Sequence, residues 1–421
     1  MTTARPDPQA ADPPLAGVVV VELDAGYISY VGKILTDFGA RVIKVEPPGG
    51  DEQRQATPVY RGQDGNEHSI PFAYYNAGKE SVTLDLADPG QAASLDRLIG
   101  AADVLLDGLG AGVAQSLGLT RERLGALRPG LIHASVSPFG QTGPWRGHRT
   151  SDMIALTLGG VTAQSGYDSV NGRPSQPISP TGGQSRHIVG LLAGIAVVAA
   201  LADRPATGVL SLDLSMHDAV AVSTESYVSM WEFGRIEGFR HTAQHANGEF
   251  TPPAWQFRCA DGGYVCALTL YLTDRRFRAL IDLFDTHGFE HGLDDDRYAT
   301  VSQRQQVMHE IVDTIAAFCR QHPAQFVFDQ AQQRQLPWSK VRSPDEVAAD
   351  VHLHARGFYQ PLELFPGEQV QWPGLPWQGL PSALLDAGPA RRTRAPQPGE
   401  DTERLTGGPA PAADDHQRVH E

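Results

Sequence analysis

Cysteine is scarce in this chain: Cys259, Cys266 and Cys319 are its three, and none stands in the close pairs that zinc sites or redox motifs need. A reducing cytoplasm is the expected location. Basic residues are outnumbered, 34 Lys and Arg against 49 Asp and Glu, and the resulting net charge of −15 argues against nucleic acid as a partner. Local basic clusters can still hold a phosphorylated ligand. Long hydrophobic runs are lacking too: the longest, Ile188 to Leu201, has about 14 residues, short of the roughly 20 that cross a bilayer, so it reads as a buried helix and no membrane association is expected. Met1 to Pro14 has neither a basic n-region nor an apolar core, which predicts a flexible tail (1–14) and no export signal.

What is present is a chain of 421 residues with 41% apolar content, more than one hydrophobic core usually supports. From Leu15 the pattern is strand, helix, strand: Val18 to Leu23 is β-rich, Tyr30 to Phe38 has helical spacing, Gly39 ends it, and Arg41 to Glu46 is a second strand. Ala102 to Leu106 and Leu131 to Val136 add two short apolar strands, each after a helical segment. The expectation is an α/β fold with an open parallel sheet covered by helices. After about Asp218 the texture changes to a hairpin signal over Trp255 to Leu268, then helices over Thr273 to Leu283 and Arg304 to Arg320, which reads as a smaller α+β domain. A further strand follows Leu336, and the stretch beyond about Gly399 reads as disordered.

Three motifs are weighed against simpler readings. Gly108-Leu-Gly110-Ala-Gly112 follows a strand and opens a helix, like a dinucleotide fingerprint, but the third glycine falls at Val113 and the motif is not in the first βα turn. Gly183-Gln-Ser185-Arg-His187 has the outline of a nucleophile elbow, yet His187 stands where the elbow needs glycine, and Ser185 reads more simply as a helix cap. His241 and His245, and His287 and His291, are four apart without the glutamate of a zincin, so they read as solvent-facing histidines and no metal site is expected.

Several segments taken together resemble the class III CoA-transferase family, the CaiB/BaiF group that includes formyl-CoA transferases and α-methylacyl-CoA racemases. They are Leu15 to Leu23, Leu35-Thr-Asp-Phe-Gly-Ala-Arg-Val-Ile-Lys-Val-Glu46, Gly50 to Arg54, Tyr75-Asn-Ala-Gly-Lys79 to Leu86, Phe139-Gly-Gln-Thr-Gly-Pro-Trp145, Leu212 to Ala219, Val341 to Val347 and His354 to Phe358. They occur in the family's order over roughly residues 15 to 405. The resemblance implies a Rossmann-like large domain with an inserted small α+β domain: 15–222 for the first part of the large domain, 223–335 for linker and small domain, 336–400 for the return, and 401–421 as a flexible tail. It also implies an interlocked dimer.

The chemistry implied by this resemblance uses an aspartate at the start of the long apolar helix, whose carboxylate attacks an acyl-CoA thioester to form a mixed anhydride. Racemase relatives instead exchange the α-proton with a His/Asp pair. Here the aspartate position is Gln184 and the racemase histidine position is Ser151, so both mechanisms lose a participant. Asp152 and His187 are the nearest catalytic candidates beside Gln184; Asp152 reads first as a helix N-cap, and His187 reads equally as a packed core imidazole. For the CoA moiety the resemblance points to Arg149 and to the loop with Phe139 and Gly140, while Asp107 to Gly112 and Pro47 depart from the family's usual CoA contacts. Lys79 and Arg54, with Arg41 and Lys44, supply positive charge at the N-terminal βα edge for the phosphates, each reading otherwise as a solvated charge. Tyr27, Tyr30 and Trp145 read as acyl-pocket or core aromatics. The leading expectation is an enzyme moving CoA between an acyl-CoA and a carboxylic acid, without a metal, as a homodimer or with a paralogue. The alternatives are a non-catalytic partner subunit and a diverged acyl-CoA isomerase or epimerase.

Overall fold

A computed structural model of the chain describes residues 12–23, 26–63, 65–167, 175–224, 227–236, 254–267, 272–365, 367–376 and 393–407. The chain forms two compact units: Met1–Gly160 with Pro180–Ser223 and Val351–Glu421, and Val161–Ser179 with Thr224–Asp350. Most of the expected N-terminal tail, residues 408–421 of the C-terminal one, and His241 and His245 lie outside the described residues.

The first unit is built on a six-stranded sheet. Its elements, in chain order, begin with β1 (Val19–Leu23), α1 (Ser29–Asp37), β2 (Arg41–Glu46), α2 (Ile70–Asn76), β3 (Glu80–Thr83) and α3 (Ala92–Gly100). They continue with β4 (Val104–Asp107), β5 (Leu131–Ser137), α4 (Asp152–Leu158), α5 (Gln184–Ala202) and β6 (Val209–Ser215). The strand order is β3-β2-β1-β4-β5-β6, and every neighbouring pair is parallel. Val20 and Val21, then Val104 to Leu106, are fully buried, as strands covered on both faces must be. The order reverses between β1 and β4, and in such sheets a crevice opens beyond the carboxyl ends of the strands at that point.

The apolar stretch expected to be buried is α5, and it is buried on one face only. Val189, Gly190, Ala193 and Val197 are inside, while Leu191 and Ile195 are 52% and 66% exposed. Its 19 residues and mean hydropathy of 1.8 are long and apolar enough to cross a membrane, but the buried stripe at helical spacing packs it on α1 and the sheet. Leu191, Ile195 and Val198 line a cleft of about 580 Å³ with Tyr30, Ile34 and Phe38.

The second unit holds β7 (Gln256–Arg258), β8 (Tyr264–Ala267), α6 (Asp274–Thr286), α7 (Met308–Cys319), α8 (Ala324–Gln333) and β9 (Trp338–Lys340). β8 is flanked antiparallel by β7 and β9. Residues 336–350, which the sequence assigns to the return into the large domain, therefore stand in this unit, and the first unit resumes at Val351. The expected C-terminal tail also needs correction: α9 (Thr402–Thr406) is helical and held to β3, with Ser81 N donating to Asp401 Oδ2 at 3.0 Å and Thr83 N to Thr402 Oγ1 at 2.9 Å.

Candidate active site

The site is assembled from the amino ends of α4 and α5 and the carboxyl end of α2. Gly183, the N-cap of α5, has φ +70°, in the left-handed region where glycine alone is unstrained, and this turn delivers Gln184 as the first helical residue. Gln184 is exposed, and its amide Nε2 donates to Thr181 O at 3.2 Å, which uses one of its two N–H bonds.

Asp152 does not cap its own helix. Ser151 does so, accepting from Ile154 N at 3.3 Å, while Asp152 Oδ1 accepts from Ser185 N at 2.8 Å and Ser185 Oγ at 2.7 Å. The carboxylate thus satisfies an orphan donor at the amino end of α5, where the helix dipole favours negative charge. Ser185, expected as a cap, is instead a buried donor to Asp152 inside the first turn. A hydroxyl so engaged, with no imidazole on it among the described residues, lacks the nucleophile–base pair of a serine hydrolase.

His187 follows one turn after Gln184, so the two side chains share a helix face. Its Nε2 lies 3.1 Å from the Tyr75 hydroxyl, and the Tyr30 ring meets it edge-on at 4.6 Å. Burial pushes the imidazole below its ordinary value; the Asp152 carboxylate pulls the other way and Arg186 adds to the depression. Burial likewise pushes the Tyr75 phenol up, keeping it protonated at neutral pH. Tyr75 is the residue the sequence did not single out, because it sits 112 positions from its partner and carries no local signature.

The candidates for CoA divide. Arg149 is exposed, three residues before Asp152, and without a side-chain partner among the described residues. Phe139 and Gly140 belong to a loop whose aromatics gather at the carboxyl end of β5: Phe139 is 5.9 Å from Trp145 and 5.6 Å from His217, and Trp145 stacks on His148 at 6.2 Å. Gln141 anchors this loop, its N donating to Asp213 Oδ1 at 3.0 Å and its Nε2 to Ser135 Oγ at 2.7 Å. Tyr30 and Trp145 therefore stand in separate aromatic clusters.

Lys79 is corrected. It is fully buried, and its ammonium reaches Glu22 at 2.8 Å, Ser29 O at 3.0 Å and Asn76 Oδ1 at 3.0 Å, so its donors are spent inside the protein. Gly32 makes this pair possible, since a Cβ there would meet Glu22 Oε2 at 1.8 Å. Arg54 is engaged as well, forked onto Glu46 at 2.6 and 2.7 Å, yet it still borders a cleft of about 360 Å³ with His68, Phe72 and Arg394. Among the described residues, no group of three or more His, Cys, Asp or Glu side chains is gathered as metal ligands; His287 meets Gln330 and His291 meets Asp285.

A six-stranded parallel sheet in this strand order, covered by helices, defines an α/β protein of the doubly wound, Rossmann-like class. The sequence profile of CoA-transferase family III matches residues 15–402, and the chain belongs to that family. It is 31% identical to succinate–glutarate CoA-transferase of Agrobacterium fabrum, over 85% of this chain and 87% of that protein. It is 25% identical to succinyl-CoA:(R)-benzylsuccinate CoA-transferase subunit BbsE of Thauera aromatica, over 85% and 86%. Its fold is similar to the crystal structure of a CAIB/BAIF family protein from Brucella suis, with TM-score 0.77, 23% identity, and 94% and 99% of the two chains covered.

Proposed function

We propose that this chain moves CoA between an acyl-CoA and a carboxylic acid, with Gln184 polarising the thioester carbonyl rather than attacking it. The observation that carries this reading is the exposed Gln184 amide at the glycine-turned start of α5, with one N–H uncommitted beside a helix amino end. In the absence of an enzyme carboxylate at this position, the acceptor's own carboxylate attacks the thioester carbon. The C–S bond breaks to give an anhydride and CoA thiolate, and the thiolate then attacks the acceptor carbonyl and releases the donor acid. Gln184 stabilises the oxyanion formed in the first step. Arg149, Phe139 and Gly140 hold the CoA moiety in this reading, and Asp152 holds the turn. The protein acts in the cytoplasm as an interlocked dimer, with the second unit as the inserted domain.

A purified sample incubated with acyl-CoA and an isotope-labelled acid tests the reading. Labelled acid should appear as its CoA thioester, and Gln184→Ala should lower kcat ~100-fold, the effect of removing one oxyanion donor. Full activity in Gln184→Ala would overturn the assigned role. A second reading, a non-catalytic subunit paired with a paralogue, is favoured by the internal engagement of Lys79 and by the relative whose name marks it as a subunit. Transfer by the chain alone would eliminate it.

A further inference from the structure

The imidazole of His187 has two different faces. Nε2 is engaged by the Tyr75 hydroxyl at 3.1 Å, while Nδ1 has no protein partner among the described residues and is not sealed from solvent. Tyr30 fixes the ring plane by its edge contact at 83°. Gln184 stands three residues earlier on the same helix face, so an amide donor and an imidazole nitrogen are presented together to whatever occupies the amino end of α5. The Asp152 carboxylate, which elsewhere could hold the imidazole, is committed to Ser185.

We propose that the site hydrolyses acyl-CoA thioesters, with His187 as general base for water, Tyr75 as the residue that positions it, and Gln184 as oxyanion donor. This rests on the acyl-CoA reading above and adds water as an acceptor. His187 Nε2–H donates to the Tyr75 oxygen, which leaves the Nδ1 lone pair as the base. Nδ1 takes a proton from water, the hydroxide oxygen bonds to the thioester carbon, and the C–S bond then breaks. The thiolate leaves with the proton carried by the imidazolium, so acyl-CoA and water become a carboxylic acid and CoA thiol. No other reactant is required. The neutral imidazole that burial maintains is the form this step needs.

The test is thiol release from acyl-CoA by the full chain in ¹⁸O-water, with no acid added. Wild type should release CoA and place ¹⁸O in the acid, with the rate falling as pH drops through the depressed imidazole value. The groups that face His187 and set that limb are Tyr30, Tyr75, Asp152 and Arg186. His187→Gln should lower kcat ~100-fold with KM for acyl-CoA retained. Tyr75→Phe, which removes one hydroxyl, should lower kcat and move the acid limb to lower pH, because the imidazolium loses an acceptor; this variant decides the matter if His187→Gln does not fold. Hydrolysis at the wild-type rate in His187→Gln, or an unmoved limb in Tyr75→Phe, overturns the proposal. Formation of a new CoA thioester when an acid is supplied, with no free thiol and no ¹⁸O from water in the products, overturns hydrolysis and leaves transfer standing. Absence of any acyl-CoA binding by calorimetry removes both.

Discussion

The two units solve the burial problem with different chemistry. In the first, Glu22, Lys44 and Lys79 are fully buried within the sheet and its neighbours, joined by ion pairs of 2.8 Å from Lys79 to Glu22 and 2.7 Å from Lys44 to Asp51. In the second, Leu280, Leu283, Phe284, Ile311, Ile315 and Phe318 form a hydrocarbon core, and Arg304 is the one charged side chain buried among the described residues. Arg304 is held by carbonyls, Leu272 O at 3.0 Å and Tyr298 O at 2.7 Å, and by Asp274. Apolar burial is non-directional and tolerates adjustment, whereas a buried ion pair is stable only in good geometry with its remaining donors satisfied. The directional core lies at β1, β2 and the amino end of α1, and α1 is the element of this group that packs on the α5 site helix.

The strongest way to break this contrast is Lys79→Met, which leaves the Glu22 carboxylate buried with Lys44 at 3.3 Å as its remaining cation. We expect the first unit to lose about 4 kcal/mol in urea unfolding, as when one partner of a buried pair is removed. A loss below about 1 kcal/mol would place the ion pairs among the dispensable contacts. Next in size, Leu283→Ala should cost the second unit about 3 kcal/mol by the lost transfer energy and the cavity left behind. A fluorescence probe assigned to each unit should show each substitution acting on its own transition.

Acid supplies the smallest effect and sharpens the comparison. His187 in the first unit and His322 in the second are both held below the ordinary imidazole value by burial, His322 with help from the neighbouring His287. With the folded value depressed, the unfolded chain takes up the proton first, so both units lose stability as pH falls below about 6.5 toward the folded value. Glu46 behaves differently: burial alone would raise it, but hydrogen bonds from Arg54, Ser81 and the Asp51 amide hold it below the ordinary carboxylate value. Its contribution is present above the unfolded value, about 4.3, and is lost as pH falls through the folded one. Unfolding measured from pH 7 to 3 should therefore show a second acid loss in both units, from Glu46 in the first and, in the second, from Glu346, which Lys340 and the Ser343 amide lower to about 2. Replacement of His322 by Gln should reduce the early loss in the second.

Local pattern carried much of the fold. The strand over Arg41 to Glu46 is where the alternation of propensity and the Gly39 stop put it, and α1, β1 and the hairpin of β7 with β8 differ from expectation by a residue or two. The glycine turn that opens α5 was legible for the same reason, since neighbours in the chain set it. Lys79 was not, because its partner Glu22 lies 57 residues away and nothing near either residue announces the pairing. The α9 segment was misread as tail because Asp401 and Thr402 are polar, and their partners Ser81 and Thr83 stand on β3.

By itself the sequence determined the opening strand-helix-strand unit, the two later strands at Ala102 and Leu131, the family, and the amide at position 184. These follow from propensity, spacing and identity, which operate between near neighbours. Only the tertiary structure decided which polar groups remain available: Lys79 and Ser185 are spent on internal partners, while His187 keeps one nitrogen open beside Gln184. Hydrogen bonds and ion pairs are short-ranged and directional, so their assignment waits until folding brings distant residues within about 3 Å.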